Sequence, residues 1–218
     1  MARIKNGPNG SASGKAGSVV FCKWKEIEYI RGLPKINKNR LLTIGQKKNQ
    51  SKFKFVQDRL RIITSVVHIG FMHAHPNRTG FNSAMSYNLL EGAEETETGY
   101  ALIWEKFAIS SGLPFPVHTY TIVQDTAETI SVNWELDESL VKKLDYSSFR
   151  CTLLFYPADF EKGEVFGCIS DQPLSDKKQT VQLTTRNKRG GYHIYMAFFA
   201  SNGSNKTTDS RYLGTINW

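Results

Sequence analysis

Cysteine is scarce in this chain. Three residues, Cys22, Cys151 and Cys168, are an odd number with no CxxC spacing, so neither a disulfide framework nor a zinc site is signalled. Cys151 and Cys168 fall on two predicted strands of one half and could pair; the pattern favours two reduced, buried thiols behaving as small hydrophobes. Long apolar runs are also missing. No stretch approaches the about 20 apolar residues of a membrane span. The opening, MARIKNGPNGSASGKAGS, is basic but lacks the apolar core of a secretory signal. The expected compartment is therefore the cytoplasm, or a particle assembled there. Acids are nearly absent from the first part of the chain: residues 1–61 hold Glu26, Glu28 and Asp58 against 15 Lys/Arg, a balance of +12. The remainder holds 13 Lys/Arg against 17 acids, a balance of −4. A basic arm on a mildly acidic body suits two partners, nucleic acid or the acidic body of a neighbouring copy.

Catalytic constellations are lacking as well. Gly10-Ser-Ala-Ser-Gly14-Lys15-Ala16 imitates a phosphate-binding loop, but its spacer is one residue short, Ala16 has no hydroxyl for magnesium, and no strand precedes it. His73 and His75 would share a face on a strand and could, with His68, approach one metal. No Cys or carboxylate nearby completes the set, so a polar loop closed by Pro76 is the plainer reading. His118 and His193 join no Ser/Asp pattern. Glu94, Glu95 and Glu97 sit in an acidic, Thr-rich loop, where solvated charge is the ordinary outcome. No catalytic residue, cofactor set or metal site is predicted, and the chain reads as a non-enzyme.

What is present is a β texture. At 218 residues with 40% hydrophobic content, the chain is one large β unit or two small ones, able to fold without staples. Residues 5–18, with four glycines and Pro8, read as an irregular or flexible arm held by the chain's own sheet or by a neighbour. Val20, Cys22, Trp24, Ile27 and Tyr29 or Ile30 suggest two short strands around Lys25-Glu26. After a basic connector at 35–50, Phe53, Val56, Leu60, Ile63 and Val67 recur at helical spacing and predict one amphipathic helix near 47–68. A shorter helical turn follows at 82–90, then the acidic loop. From Tyr100 onward, strands are predicted at 101–110, 117–124, 129–134, 150–156, 164–170, 179–184, 192–200 and 210–217, with turn signals between them. That spacing argues for a sandwich. The fold class is mainly β: an Ig-like antiparallel sandwich over 99–218, preceded over 1–98 by a basic arm, short strands and helix.

Several stretches resemble a family of uncharacterised bacterial proteins known only as a domain of unknown function. They are Asn6-Gly7 to Gly10, Ser13-Gly14-Lys15, Gly17, Val19-Val20, Trp24-Lys25, Ile30-Arg31, Leu33-Pro34, Ile69-Gly70-Phe71, Phe81 to Asn88, and Asp209 to Gly214. One departure lies in the connector: the family has a Pro-rich stretch before a Thr and a Gln, whereas this chain has Asn39-Arg40-Leu41-Leu42-Thr43 and Gln46. The resemblance implies a compact protein with an Ig-like C-terminal sandwich and brings no activity with it.

Two functions follow as expectations. The first is a self-assembling structural protein, a virion-like or filament subunit and hence a homo-oligomer, in which the arm residues Gly7, Gly10, Gly14, Lys15 and Gly17 contact a neighbour. The second is a nucleic-acid-binding accessory protein using Lys23, Lys25, Arg31, Lys35, Lys38, Arg40, Lys47 and Lys48 among interspersed aromatics.

Overall fold

A computed structural model describes residues 3–4, 10–25, 27–33, 41–160, 163–182 and 190–217. The chain is mainly β, its sheets antiparallel, and it divides into two compact units, Met1–Lys47 and Lys48–Trp218.

The first unit is a meander in which β1 (Arg3–Ile4), β2 (Ala12–Ala16), β3 (Val19–Trp24) and β4 (Ile27–Gly32) pair in chain order. The stretch expected to be an irregular arm is thus, over Ala12–Ala16, an internal strand with partners on both sides. The glycines misled because they mark geometry rather than looseness. Gly17 supplies the positive φ of a two-residue hairpin turn, and Gly14, at φ 103, sits within the strand opposite Phe21.

A helix runs across the boundary at Lys47–Lys48, and two more follow it in the second unit. Thr43 and Gln46 open α1 (Ile44–Arg61) as a capping box: Gln46 Oε1 accepts from the Thr43 N–H at 3.1 Å, and Thr43 Oγ1 accepts from the Gln46 N–H at 3.3 Å. Thr64 Oγ1 donates to the Arg61 carbonyl at 2.7 Å, and α2 (Thr64–Gly70) continues beyond that joint. The single helix expected over 47–68 is therefore two. Val56, Leu60, Ile63 and Val67 are fully buried, but Phe53 is 47% exposed, at the rim of a cleft beside Arg78, Phe81 and Met85. Thr79 caps α3 (Gly80–Leu90) by accepting from the Asn82 N–H at 3.2 Å. Where an acidic loop was expected, β5 (Ala93–Thr96) and β6 (Gly99–Leu102) form a hairpin. No described helix is long and apolar enough to cross a membrane.

The strand expected over 101–110 stops at Leu102, because the backbone beyond it pairs with side chains and loops rather than with a strand. Ala108 N–H donates to Asn88 Oδ1 at 2.9 Å, Ile109 N–H to Ser210 Oγ at 3.0 Å, and Ser111 N–H to the Gly70 carbonyl at 3.0 Å. Two sheets follow. One contains β7 (Val117–Gln124), β8 (Thr129–Leu136) and β11 (Lys178–Gln182), in the order β11-β8-β7. The other contains β9 (Phe149–Pro157), β10 (Phe166–Cys168), β12 (Gly191–Ala200) and β13 (Arg211–Asn217), in the order β10-β9-β12-β13. A short helix, α4 (Glu138–Lys143), links β8 to β9. This arrangement is compatible with an Ig-like sandwich.

The core lies in two layers, one on each side of β9 and β12. Leu153, Phe155, Ile194, Met196 and Phe198 pack with Val117, Ile130, Val132 and Trp134 of the facing sheet. Their neighbours Leu154, Tyr156, Tyr195, Ala197 and Phe199 point the other way and pack with Val56, Leu60, Val67 and Phe71 from the helices. Strands covered on both faces have no reason to alternate with polar residues, and the runs LLFY and YMAFF do not.

Candidate interaction surface

The first unit carries most of the residues singled out from sequence. Two tight turns fix its register. Ala16 opposes Val19 across Gly17-Ser18, with Gly17 at φ 58 in the first place of the turn, as type II′ hairpins prefer. Trp24 opposes Ile27 across Lys25 and its neighbour, with Lys25 itself at φ 52. Opposed residues share a face, so the ladder sorts the sheet into two surfaces. One carries the row Lys15–Val20–Arg31, then Cys22–Tyr29, then Trp24–Ile27. The other carries Gly14–Phe21–Ile30, Val19 and Ile4, with Lys23 beside Glu28 at 3.8 Å.

No described side chain of this sheet is buried. Ile30 is 62% exposed, Ile4 57%, and Trp24 and Tyr29 45% each. A cleft of about 410 Å³ opens along Ala12, Phe21, Cys22, Glu28, Tyr29 and Ile30. Among the described residues, β4 is an edge strand, hydrogen-bonded on the β3 side alone. An apolar sheet face this exposed marks an interaction site.

The structure separates the predicted residues. Lys15 and Arg31 share the aromatic face; Lys23 lies on the apolar one, paired with Glu28; Lys25 sits in the turn. Gly10 precedes β2, Gly14 is in it and Gly17 is in the turn. Lys47 and Lys48 lie on α1, where Lys48 forms an ion pair with Glu95. Gly7, Lys35, Lys38 and Arg40 fall outside the described residues. The unit boundary also redistributes the charge. Met1–Lys47 carries ten Lys/Arg and two acids, a balance of +8, whereas Lys48–Trp218 carries 18 of each and is neutral. The net charge of the protein therefore resides in its first 47 residues.

A family model matches residues 11–214. The chain belongs to DUF6266, a family of unknown function. No curated protein matches it at a significant level. In this DUF6266 chain, the stretches that carried the resemblance outside the first unit are joints of the fold. At Gly70 an added Cβ would lie 2.3 Å from the Ile109 carbonyl oxygen. Asn88, fully buried, donates to the Ala84 and Ala108 carbonyls at 3.0 Å each. Asp209 Oδ1 accepts from the Gly112 N–H at 2.9 Å, and the Arg211 guanidinium lies 4.5 Å above the Phe115 ring. These residues hold the irregular segment 103–116 in place, a sufficient structural reason for their pattern.

Among the described residues, the remaining titratable groups do not assemble into a chemical site. His73 and His75 lie in exposed turns, and His75 Nδ1 accepts from the Asn77 N–H at 3.2 Å. No three His, Cys, Asp or Glu among the described residues are grouped to hold a metal. The phosphate-loop look-alike is strand over its second half, with no helix N-terminus behind it to hold an anion. Burial pushes the Cys168 thiol up to about 11 and Cys151 further still, and all three cysteines are free. His193 is the one histidine in the interior, missed from sequence because nothing near it in the chain marks its partners. It stacks on Trp104 with centroids 3.5 Å apart, and its Nδ1 lies 2.9 Å from the Tyr212 hydroxyl. Burial holds it below the ordinary histidine range, against a smaller pull upward from Glu105.

Proposed function

We propose that this protein is a non-enzymatic structural subunit that associates with copies of itself through its N-terminal sheet. The observation that supports this reading is the apolar face of Ile4, Val19, Phe21 and Ile30 beside the open edge of β4. In this reading the route is β4 against β4 of a second copy rather than a donated arm, since over Ala12–Ala16 the arm stretch pairs with β1 and β3 of its own chain. A two-fold pairing of edge strands keeps each face on its own side, so residues of one face meet only residues of the same face. Centred on Ile30, this pairing places Ile30 opposite the partner's Ile30 on the apolar face. On the other face it sets Tyr29 opposite the partner's Arg31, a cation–π pair repeated by symmetry. The apolar stripe then runs unbroken through both copies, and larger assemblies follow by face-to-face packing of such sheets.

Sedimentation velocity on the full chain tests this. The wild type should run as a dimer or larger at micromolar concentration, and Ile30→Lys should run as a monomer with an unchanged circular dichroism spectrum. A wild type that stays monomeric defeats the reading.

A further inference from the structure

The face opposite the apolar one has a composition of its own. Trp24 and Tyr29, on neighbouring rows, expose flat rings to solvent, and Lys15 and Arg31 close the same face one row beyond Tyr29. No carboxylate stands on it among the described strand residues. The sheet's described acid, Glu28, is turned to the other side, where it meets Lys23 and accepts from the Ser11 hydroxyl. The charge division adds a second, independent argument. With Lys48–Trp218 neutral overall, the +8 of the first unit meets no net opposite charge on another copy, which favours a separate polyanion as its complement.

We infer that this face binds single-stranded nucleic acid without sequence preference, Trp24 and Tyr29 stacking bases while Lys15 and Arg31 neutralise phosphates. The choice of single strand follows from the rings. Stacking requires bases that are not already stacked in a duplex, and every base has a face to offer, so the contact is tolerant of sequence. A duplex would be held by charge alone and would leave both aromatics unused. The apolar face is not needed for this contact; Tyr29 and Arg31 belong to β4 and are shared with the self-association reading, and Ile30→Lys, which alters the apolar face alone, separates the two.

Fluorescence anisotropy with a labelled oligothymidylate and the full-length protein tests it. Binding is expected at low salt, weakening linearly in log–log form as salt rises, and a hairpin duplex of equal charge should bind less tightly. Trp24→Ala and Tyr29→Ala should each weaken binding by roughly 5- to 100-fold, the size of one lost base stack. Trp24→Phe and Tyr29→Phe should retain it, which guards against a merely unfolded sheet. Arg31→Gln should make the salt slope shallower by about 0.7, one phosphate contact on a single strand. Ile30→Lys, on the other face, should keep oligonucleotide binding while losing self-association. The inference is overturned if no oligonucleotide binds at low salt, or if the alanine variants bind as tightly as wild type. It is overturned equally if duplex is preferred, or if vesicles rich in anionic lipid are bound and oligonucleotide is not.

Discussion

Replacing Asn88 by Ala should cost the protein a large part of its stability, although the residue touches no surface. Its amide makes three hydrogen bonds in a fully buried position: Nδ2 donates to the carbonyls of Ala84 and Ala108, and Oδ1 accepts from the Ala108 N–H. The Ala84 carbonyl keeps its place in the ladder of α3 after truncation. The N–H and C=O of Ala108 do not, because the segment around them has no strand to pair with. Two orphaned buried backbone groups at about 1–3 kcal/mol each give a loss of roughly 2–6 kcal/mol, against a total of about 5–15 kcal/mol for an ordinary domain. Urea titration followed by tryptophan fluorescence reads this as a lower midpoint at unchanged slope. Asn88→Asp separates hydrogen bonding from size. It keeps the acceptor for Ala108 N–H but offers no donor at neutral pH and buries a carboxylate, so it should be at least as damaging. Its defect should shrink on acidification, since a carboxyl whose folded pKa is raised by burial becomes a neutral donor before its unfolded counterpart is protonated. A loss well under 1 kcal/mol for Asn88→Ala, with the slope unchanged, would refute the reasoning: the 103–116 segment would then be held by something else.

Leu60→Ala, at a fully buried position under the sheet, should cost about 2–5 kcal/mol, whereas Phe53→Ala on the same helix should cost under about 1 kcal/mol because its ring is half exposed; chemical denaturation of both decides whether the apolar stripe is read correctly. Thiol labelling of the native protein at about pH 8 should modify Cys22 first, since Cys168, raised to about 11, is thiolate in about one molecule in a thousand there and Cys151 in fewer; equal rates at the three cysteines would contradict the burial assigned to β9. Because His193 is held below the ordinary histidine range, the unfolded chain takes up its proton first as pH falls. Stability from this residue is thus present above about pH 6.5 and lost below it, and thermal midpoints at about pH 7.5 and 5.5 should differ more for wild type than for His193→Gln.

Much of the fold was legible because its strands are antiparallel and its turns carry their own residues. The segments at 117–124, 129–134, 150–156 and 192–200 were each found to within two residues of β7, β8, β9 and β12. Other parts were hidden for identifiable reasons. The start of α1 depends on Thr43 and Gln46, two polar residues that add nothing to an apolar period. The hairpin of β5 and β6 is rich in Glu and Thr and looks like solvated loop until Thr96 is seen opposite Gly99. Residues 103–110 have strand composition, yet their hydrogen bonds go to Asn88 and Ser210, the latter a hundred residues away. The interaction surface was half visible: basic and aromatic residues were evident, but their sorting into faces depends on the register set at Gly17-Ser18. A glycine-rich stretch read as an arm gives no register at all, which is why Lys23 and Arg31 looked equivalent and are not.

The double burial of β9 and β12 also bears on how the second unit comes apart. Each of these strands is wetted on neither side, so the helices cannot detach without exposing Leu154, Tyr156, Tyr195 and Phe199 to water, and the facing sheet cannot leave without exposing Phe155 and Phe198. Melting of either layer therefore drags the other with it, and the 48–218 unit should denature as a single cooperative block. The amides of β9 and β12 should be the last in the molecule to exchange with deuterium. A fragment begun at residue 99, where helix gives way to strand in the sequence, would carry one bare aromatic wall and come out of the cell in aggregates.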